Sequence, residues 1–471
     1  GSVRTDKGTQ ENPTSGYGSH YSHDREIARP GYYAVHLDDY NVKVELTASE
    51  RVGFHRYTFP KEGQSNIIID LKEGIGWDAP VETHIRKVDD YTLEGYRFSK
   101  GWAVDQRVWF TIKSSVPIKK FQVFDGNTSK EGTNVTAKEA KGVIVFDRSP
   151  GEVKLKVGVS PVSAANALAN INAEIPDWDF VKVVNASNAK WDKELSKIAI
   201  STKDAAARKV FYTAFYHTMI DPALFNDHNG AYRGTDKKEY PAPGFNNYSV
   251  FSLWDTYRSW AALNTIVHTD KVSDFVNSML TIYKQQGKLP VWHLMGNETN
   301  CMVGYHSVPQ IVDAYLKGFK GFDANEAFEA MKVTANRDEF GLKYVKELGY
   351  IPADKEYESV SKAMEYAIDD WCIAAMAKKL GKQEDYEYYK KRAGYYKNYF
   401  DSTIRFVRPR MSDGSFKTPY DPFNSKHEKG DFTEGNGWQY TWLVPQDVYG
   451  LINLIGGDVA FTNKLDSLFI A

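Results

Sequence analysis

Three stretches of the chain set a carboxylate among glycine, amide and aromatic residues. The first runs from Asp431 to Trp442 and reads Asp-Phe-Thr-Glu-Gly-Asn-Gly-Trp-Gln-Tyr-Thr-Trp. Glycine lets a backbone bend sharply, so Glu434, bounded by Gly435, can be aimed into a cleft. Trp438, Tyr440 and Trp442 follow, with flat apolar faces and a polar edge that suit a sugar ring. A helix start capped by Thr433 accounts for the same residues, and the stretch alone leaves both readings open. The second runs from Phe251 to Trp260 and sets Asp255 beside Trp254. A carboxylate that accepts from two hydroxyls beside an indole is a sugar clamp; the alternative is an Asp255 helix cap paired with Arg258. The third, Leu289 to Ser307, carries Trp292, Glu298 and His306 on a polar loop. It has no ligand-spaced histidines or carboxylates that would indicate a metal. A lone loop histidine is more often a hydrogen-bonding or solvated residue than a ligand.

Glycoside cleavage needs an acid to protonate the leaving oxygen, and either a nucleophile or a base that activates water. Glu434 suits the acid; the residues alone single out no second carboxylate. Nucleophile-elbow, P-loop and dinucleotide fingerprints do not occur. The Asn-x-Ser/Thr triplets at Asn127, Asn134, Asn185, Asn247 and Asn297 are what chance gives in a chain of this length.

The elements that must position these residues fall into two halves. The first 30 or so residues, rich in Gly, Ser, Thr and His, read as loop. Val42, Val44 and Leu46 then alternate with Lys43 and Glu45, the mark of a half-buried strand. Short runs follow at Val52–Phe59, Asn66–Leu71, Val108–Ile112, Phe121–Phe124, Val143–Phe146 and Val153–Val159, with turns at Asp125-Gly126-Asn127 and Ser149-Pro150-Gly151. Close-spaced strands without intervening helices predict an antiparallel β-sandwich over residues 1–162. Residues 163–190 read as a helical linker, with a helix at Ala164–Glu174 and a polar connection from Pro176. Helices are predicted at Trp191–Ile200, Ala205–Ile220, Val272–Gln286, Pro309–Gly318, Ala324–Asn336, Val360–Leu380, Asp385–Phe400 and Gln446–Ile455. Apolar residues at i, i+3, i+4 and i+7 in Met364–Met376 mark a buried or amphipathic helix, and Gly381 stands where a C-cap glycine would. The long loops Asn226–Asn247, Leu289–Ser307 and Arg410–Thr433 are of the kind that carry function. Helix pairs with elaborated loops suggest an α/α toroid over residues 191–471.

At 471 residues two domains are the natural expectation. A net charge of −2 gives no electrostatic reason to expect nucleic acid or an acidic membrane. The 11 Trp, 30 Tyr and 25 Phe are an aromatic content common in carbohydrate-handling proteins. Two cysteines, Cys301 and Cys372, make neither a disulfide framework nor a thiolate metal cluster, and their spacing does not decide whether they pair. No stretch approaches the roughly 20 apolar residues of a membrane-spanning helix. The chain opens on Gly1-Ser2 and not on Met, so the lack of a signal-peptide pattern there says little about the parent protein.

Taken together, the motifs resemble those of the family 92 glycoside hydrolases, calcium-dependent exo-acting α-mannosidases of bacteria. The resemblance rests on Trp254-Asp255-Thr256-Tyr257-Arg258, Gly296-Asn297-Glu298-Thr299 and Gly304-Tyr305-His306-Ser307. It extends through Glu365-Tyr366-Ala367, Asp369-Asp370-Trp371, Phe406 to Pro409, Thr433-Glu434-Gly435-Asn436 and Trp438-Gln439-Tyr440. It implies a β-sandwich followed by an (α/α)6 barrel, Glu434 as catalytic acid, and Trp254 with Asp255 gripping the terminal mannose. Glu298 and His306 join these as substrate-binding candidates. The reaction implied is an inverting single displacement on α-mannosides, with α-1,2 linkages foremost and N-glycans as a source. A calcium ion would contact the sugar's 2- and 3-hydroxyls, and Asn436 and Gln439 are its candidate ligands. Periplasmic, cell-surface or secreted location goes with such a substrate.

Two family segments do not occur in the chain: a His-Glu-Pro that recognises the neighbouring sugar, and an Asn-Asp-Asp that supplies the general base. The expectation is therefore a chain short at both ends, with the general base beyond Ala471 and further polypeptide packed on an unclosed toroid. Another sandwich-plus-toroid enzyme, such as a glycoside phosphorylase or a glucoamylase-like hydrolase, and a non-catalytic sugar-binding protein are the alternatives.

Overall fold

The computed structural model describes residues 4–63, 65–146, 150–426 and 428–470. It divides into a unit of residues 1–250 with 294–299 and a second unit of residues 251–293 with 300–471.

An antiparallel β-domain followed by helices is what the chain forms. Nine strands pair in the order Glu26–Arg29, Tyr32–Leu37, Val42–Ala48, Val52–Thr58, Glu152–Ser160, Gln106–Ser114, Thr92–Lys100, Ala79–Asp89 and Asn134–Ala137. A second sheet orders Thr128–Lys130, Lys120–Asp125, Ala140–Val145 and Asn66–Asp70. Their inner faces share one core: Ile85, Leu93, Phe110, Ile112 and Leu155 from the first sheet meet Ile67, Phe121, Val123 and Ile144 from the second. The turn at Asp125-Gly126-Asn127 is present, with Gly126 at φ +56°; of the Ser149-Pro150-Gly151 turn, Ser149 lies outside the described residues.

Two sequence expectations need correction, and one hairpin has no counterpart in the sequence reading. The opening 30 residues are not all loop, because Glu26–Arg29 pairs with Tyr32–Leu37. The hairpin Ala79–Asp89/Thr92–Lys100 carries no simple alternation: only Pro80, Thr83 and Ile85 of its first strand are buried. The polar connection after Pro176 ends early. After α1 (Ala164–Glu174), Asp179 caps α2 (Phe180–Leu195) by accepting from the Lys182 amide, so the helix starts 11 residues before Trp191 and stops short of Ile200. Phe180 and Val184, four apart and so on one face, fill a cluster with Val52, Phe54, Ile171 and Ile175. Then comes α3 (Ala205–His217).

In the second unit the helices are α4 (Leu253–Thr256), α5 (Trp260–Val267), α6 (Val272–Gln286), α7 (Ser307–Leu316), α8 (Ala324–Ala335) and α9 (Leu342–Leu348). They continue as α10 (Ser359–Leu380), α11 (Gln383–Ala393), α12 (Gly437–Tyr440), α13 (Val448–Ile455) and α14 (Asp458–Leu468). The hub is α10. Most of its side chains are buried, it packs against α7, α8 and α11, and Gly381 ends it at φ +74°. Its burial all round is unusual because it carries Glu365, Asp369 and Asp370, each at most 2% exposed. Buried charges must be paired, and those partners are what build the site.

Candidate active site

Glu365 reaches the wall of a cavity of about 500 Å3 lined by Trp254, Asp255, Tyr257, Arg258, Gln439 and Tyr440 among others. Small-ligand sites commonly have such volumes. The indole N–H of Trp254 donates to Glu365 Oε1 at 2.8 Å, and the Tyr257 hydroxyl donates to Oε2 at 3.0 Å. Asp255 stands exposed in the first turn of α4 and accepts from the Ser252 hydroxyl. Arg258 forms no ion pair with it among the described residues, so the cap-and-pair alternative for this motif is not what forms. Trp254 and Asp255 are thus brought to one cavity with Gln439, which lies far along the sequence from both.

His306 lies elsewhere than its loop position suggests. It is the residue before α7, 1% exposed, and stacks face to face on Tyr257 with ring centroids 3.9 Å apart. Its Nδ1 bonds Asp369 Oδ1 at 2.8 Å, and its Nε2 comes within 3.2 Å of Glu365 Oε2. That second approach has ion-pair distance without hydrogen-bond alignment. Burial disfavours the charged ring, but the two carboxylates outweigh it and push His306 up to about 10. Glu365 is held below the usual carboxylate range: burial raises it, but His306, Trp254 and Tyr257 more than offset that. An ionised, doubly committed carboxylate is unsuited to donating a proton.

Each residue of Gly304-Tyr305-His306-Ser307 has a task here. Gly304, at φ +85°, leaves the space taken by the His306 ring. Tyr305 donates its amide to Asp369 and its hydroxyl to Asp370 at 2.7 Å. Ser307 donates to the Pro290 carbonyl. Asp370 is also bound by Arg392 Nε at 2.8 Å, and burial, opposed by Arg392, pushes it up to about 6.

Glu434 belongs to a strap laid across the start of α10. Glu358 and Val360 donate their amides to the Gly430 and Asp431 carbonyls, and Thr433 N donates to Ser361 Oγ at 2.7 Å. The Tyr440 hydroxyl fastens the Thr433 carbonyl at 2.8 Å. Next along, Glu434 is exposed, adopts φ +45°, and has no hydrogen-bond or ion-pair partner among the described residues. Non-glycine residues rarely adopt that conformation, and such strain gathers at functional sites. A Cβ on Gly435 would stand 2.9 Å from Gln439 Oε1 and from the Tyr440 ring, so glycine lets the strap press against two residues of the cavity wall.

The helix start in this stretch is capped by Asn436, not Thr433. Asn436 and Gln439 form a reciprocal capping box, each side-chain oxygen accepting the other's backbone N–H. Calcium asks for six to eight oxygen ligands. Both amide oxygens are already engaged in the cap, and no group of three or more His, Cys, Asp or Glu that could hold a metal occurs among the described residues. These residues do not by themselves make a calcium cage. Glu298 lies on the 294–299 segment of the first unit, apart in that division from the other candidates. Its neighbour Asn297 is 2% exposed, takes the Asp105 amide and the Lys237 ammonium on its carbonyl oxygen, and donates to the Asp105 carbonyl.

Sequence reasoning missed Glu365 and Asp369 as site residues. The signal was there: three acids, Glu365, Asp369 and Asp370, within six positions of a helix whose apolar spacing marks it as buried.

Residues 166–471 match the glycosyl hydrolase family 92 catalytic domain, and residues 1–160 match the family's N-terminal domain. The chain belongs to glycosyl hydrolase family 92. A family 92 α-mannosidase from Bacteroides thetaiotaomicron, solved with mannoimidazole, is 40% identical with a TM-score of 0.97; the match covers 100% of this chain and 64% of that one. A family 92 inverting mannosidase from the same organism is 26% identical with a TM-score of 0.88, over 95% of this chain and 61% of that one. An uncharacterized secreted glycosidase of Arthroderma benhamiae is 26% identical over 95% of this chain and 61% of its own length. The chain thus spans somewhat under two thirds of these relatives.

Proposed function

We propose that this family 92 chain carries part of the active site of an exo-acting α-mannosidase, with Glu434 as the acid that protonates the leaving oxygen. The carrying observation is the strained, unpartnered Glu434 on a strap pressed against a cavity wall that also presents Trp254 and Asp255. Trp254 offers a ring face and Asp255 an exposed carboxylate, which together grip a terminal sugar. Membership in the family supports mannose as that sugar, and the relative named as an inverting mannosidase supports inversion. In an inverting pair a base activates water from the opposite face, about 6.5–9.5 Å from the acid.

Calcium enters from the family resemblance alone, and no step is derived through it. Asn436 and Gln439 would offer it at most the second lone pairs of their oxygens, so a calcium ion would need further oxygen ligands beside them. α-1,2 linkages and N-glycans are the substrates favoured by the resemblance, and a six-pair helical toroid is its architecture. A secreted or cell-surface setting is supported by the relative named a secreted glycosidase, and no helix among the described residues is long and apolar enough to cross a membrane.

The test is mannose release from α-1,2-, α-1,3-, α-1,4- and α-1,6-mannobiose by wild type and Glu434→Gln, with and without chelator. Loss of a general acid costs about 10²–10⁴ in rate, and an aryl mannoside with a good leaving group should be spared most of it. Equal loss on both substrates would remove the acid role, and indifference to chelation would remove calcium.

A further inference from the structure

His306 sits too deep to touch a sugar, yet its ring is enclosed on three sides. Asp369 holds Nδ1, Glu365 faces Nε2, and Tyr257 covers one ring face. Glu365 and Asp369 lie four residues apart on α10, which places both carboxylates on one helix face. Through Glu365 the stack reaches the cavity, since that carboxylate receives both the Trp254 indole N–H and the Tyr257 hydroxyl.

We propose that His306 is a positioning residue for the sugar clamp: a buried imidazole, held by Asp369, that fixes the Glu365 carboxylate as anchor for Trp254 and Tyr257. This rests on the carbohydrate reading above. Three features point to positioning over plain packing. A neutral core of the same volume would fill the space without burying two carboxylates, and burying charge is costly unless it is matched. The backbone makes special room for the ring at Gly304. The stack also ends on Trp254, an aromatic residue of the cavity lining able to offer a sugar a flat face.

The charge state follows the geometry. The groups facing the ring are Glu365 and Asp369 from α10 and Tyr257 from the turn after α4; Tyr305, Asp370 and Arg392 form the next layer. With the ring pushed up to about 10, it stays doubly protonated at neutral pH. Glu365 then has a permanent counter-charge behind it and needs no proton from the cavity.

The experiment compares wild type with His306→Gln and the milder Asp369→Asn, which keeps an acceptor for the Tyr305 amide. Mannoimidazole binding is measured by calorimetry and mannose release from an aryl α-mannoside by steady-state kinetics. The expected result is a loss of about ten- to a hundredfold in mannoimidazole affinity and a rise of similar size in KM, the worth of one or two charge-assisted hydrogen bonds, with kcat within about threefold. A folded Asp369→Asn protein with unchanged KM and affinity overturns the proposal. So does a fall in kcat at constant KM, which would place the stack in the chemical step.

If wild type neither binds mannoimidazole nor releases mannose, the proposed function falls, and a second readout decides the stack by itself. Histidine-selective 15N spectra, assigned with His306→Gln, should show the ring doubly protonated from pH 6 to about 9 in wild type and not in Asp369→Asn. A singly protonated ring in wild type across that range overturns the proposal regardless of activity.

Discussion

Ser361 and Glu365 lie one helical turn apart on α10, and each holds a different half of the site. Ser361 accepts the Thr433 amide of the Glu434 strap, and Glu365 accepts the Trp254 indole and the Tyr257 hydroxyl. At 1.5 Å per residue the two anchor points are about 6 Å apart along the axis. A single helix thus sets the spacing between the Glu434 strap and the anchor of Trp254.

Ser361→Ala removes the strap's anchor and leaves the clamp. A lost hydrogen bond of about 0.5–1.5 kcal/mol should lower kcat by about three- to tenfold with KM near the wild-type value. Steady-state kinetics on an aryl α-mannoside measures this. A rise in KM with kcat intact would mean that the strap grips the sugar.

Glu434→Gly relieves a backbone held at φ +45°. Because such a conformation costs a non-glycine residue about 1 kcal/mol or more, urea unfolding should show the variant more stable than wild type by roughly that amount. It should also release no mannose. Lower stability would show that the strap does not strain Glu434.

For His306 the folded pKa, about 10, exceeds the usual 6.5. Below pH 6.5 the ring is protonated in both folded and unfolded chains, and its contribution to stability is fully present. Between pH 6.5 and 10 only the folded chain keeps the proton, so stability falls with rising pH by at most about 1.4 kcal/mol per unit. Lys237 and Lys464, lowered by burial to about 8, act in the opposite sense above that pH. The readout is therefore the difference between wild type and His306→Gln in urea unfolding at pH 7 and pH 9. It should shrink as pH rises, and a constant difference would contradict the linkage.

Arg392→Met leaves Asp370 buried with only the Tyr305 hydroxyl as partner. Breaking a buried pair from one side costs about 3–5 kcal/mol. Pairing Arg392→Met with Asp370→Leu should recover much of the loss in urea unfolding, since no unmatched charge then remains. No recovery in the double variant would argue that Arg392 acts mainly through its other contacts, the hydrogen bonds to Asn336 and the Ala335 carbonyl and the packing on Tyr388 and Tyr389.

Legibility in the sequence tracked how strongly each segment's pattern spoke for itself. α6 spans the Val272–Gln286 predicted from spacing, because seven of its residues are buried at helical intervals and Gly287 stops it in the left-handed conformation. The hairpin Ala79–Asp89/Thr92–Lys100 was not legible, because its first strand is largely exposed and charged. α2 hid its start behind Lys182 and other polar residues, and only Asp179 and the Phe180/Val184 pair signalled it. In the site, Trp254, Asp255 and Gln439 were legible by type, and the cavity brings them together. The depth of His306 was not, because it depends on carboxylates 59 and 63 residues further along, on a helix whose apolar period suggested simple core.

The anchors on α10 tie together parts of the chain made at very different times. Trp254 waits 111 residues for Glu365, and Ser361 waits another 72 for Thr433. At ribosomal speeds of about 5–20 residues per second, Trp254 spends on the order of ten seconds without its carboxylate. Contacts so distant in sequence also close slowly in a refolding chain. Until Glu365 has been made, Trp254 and Tyr257 are rings without their anchor, and their side of the cavity has no fixed wall.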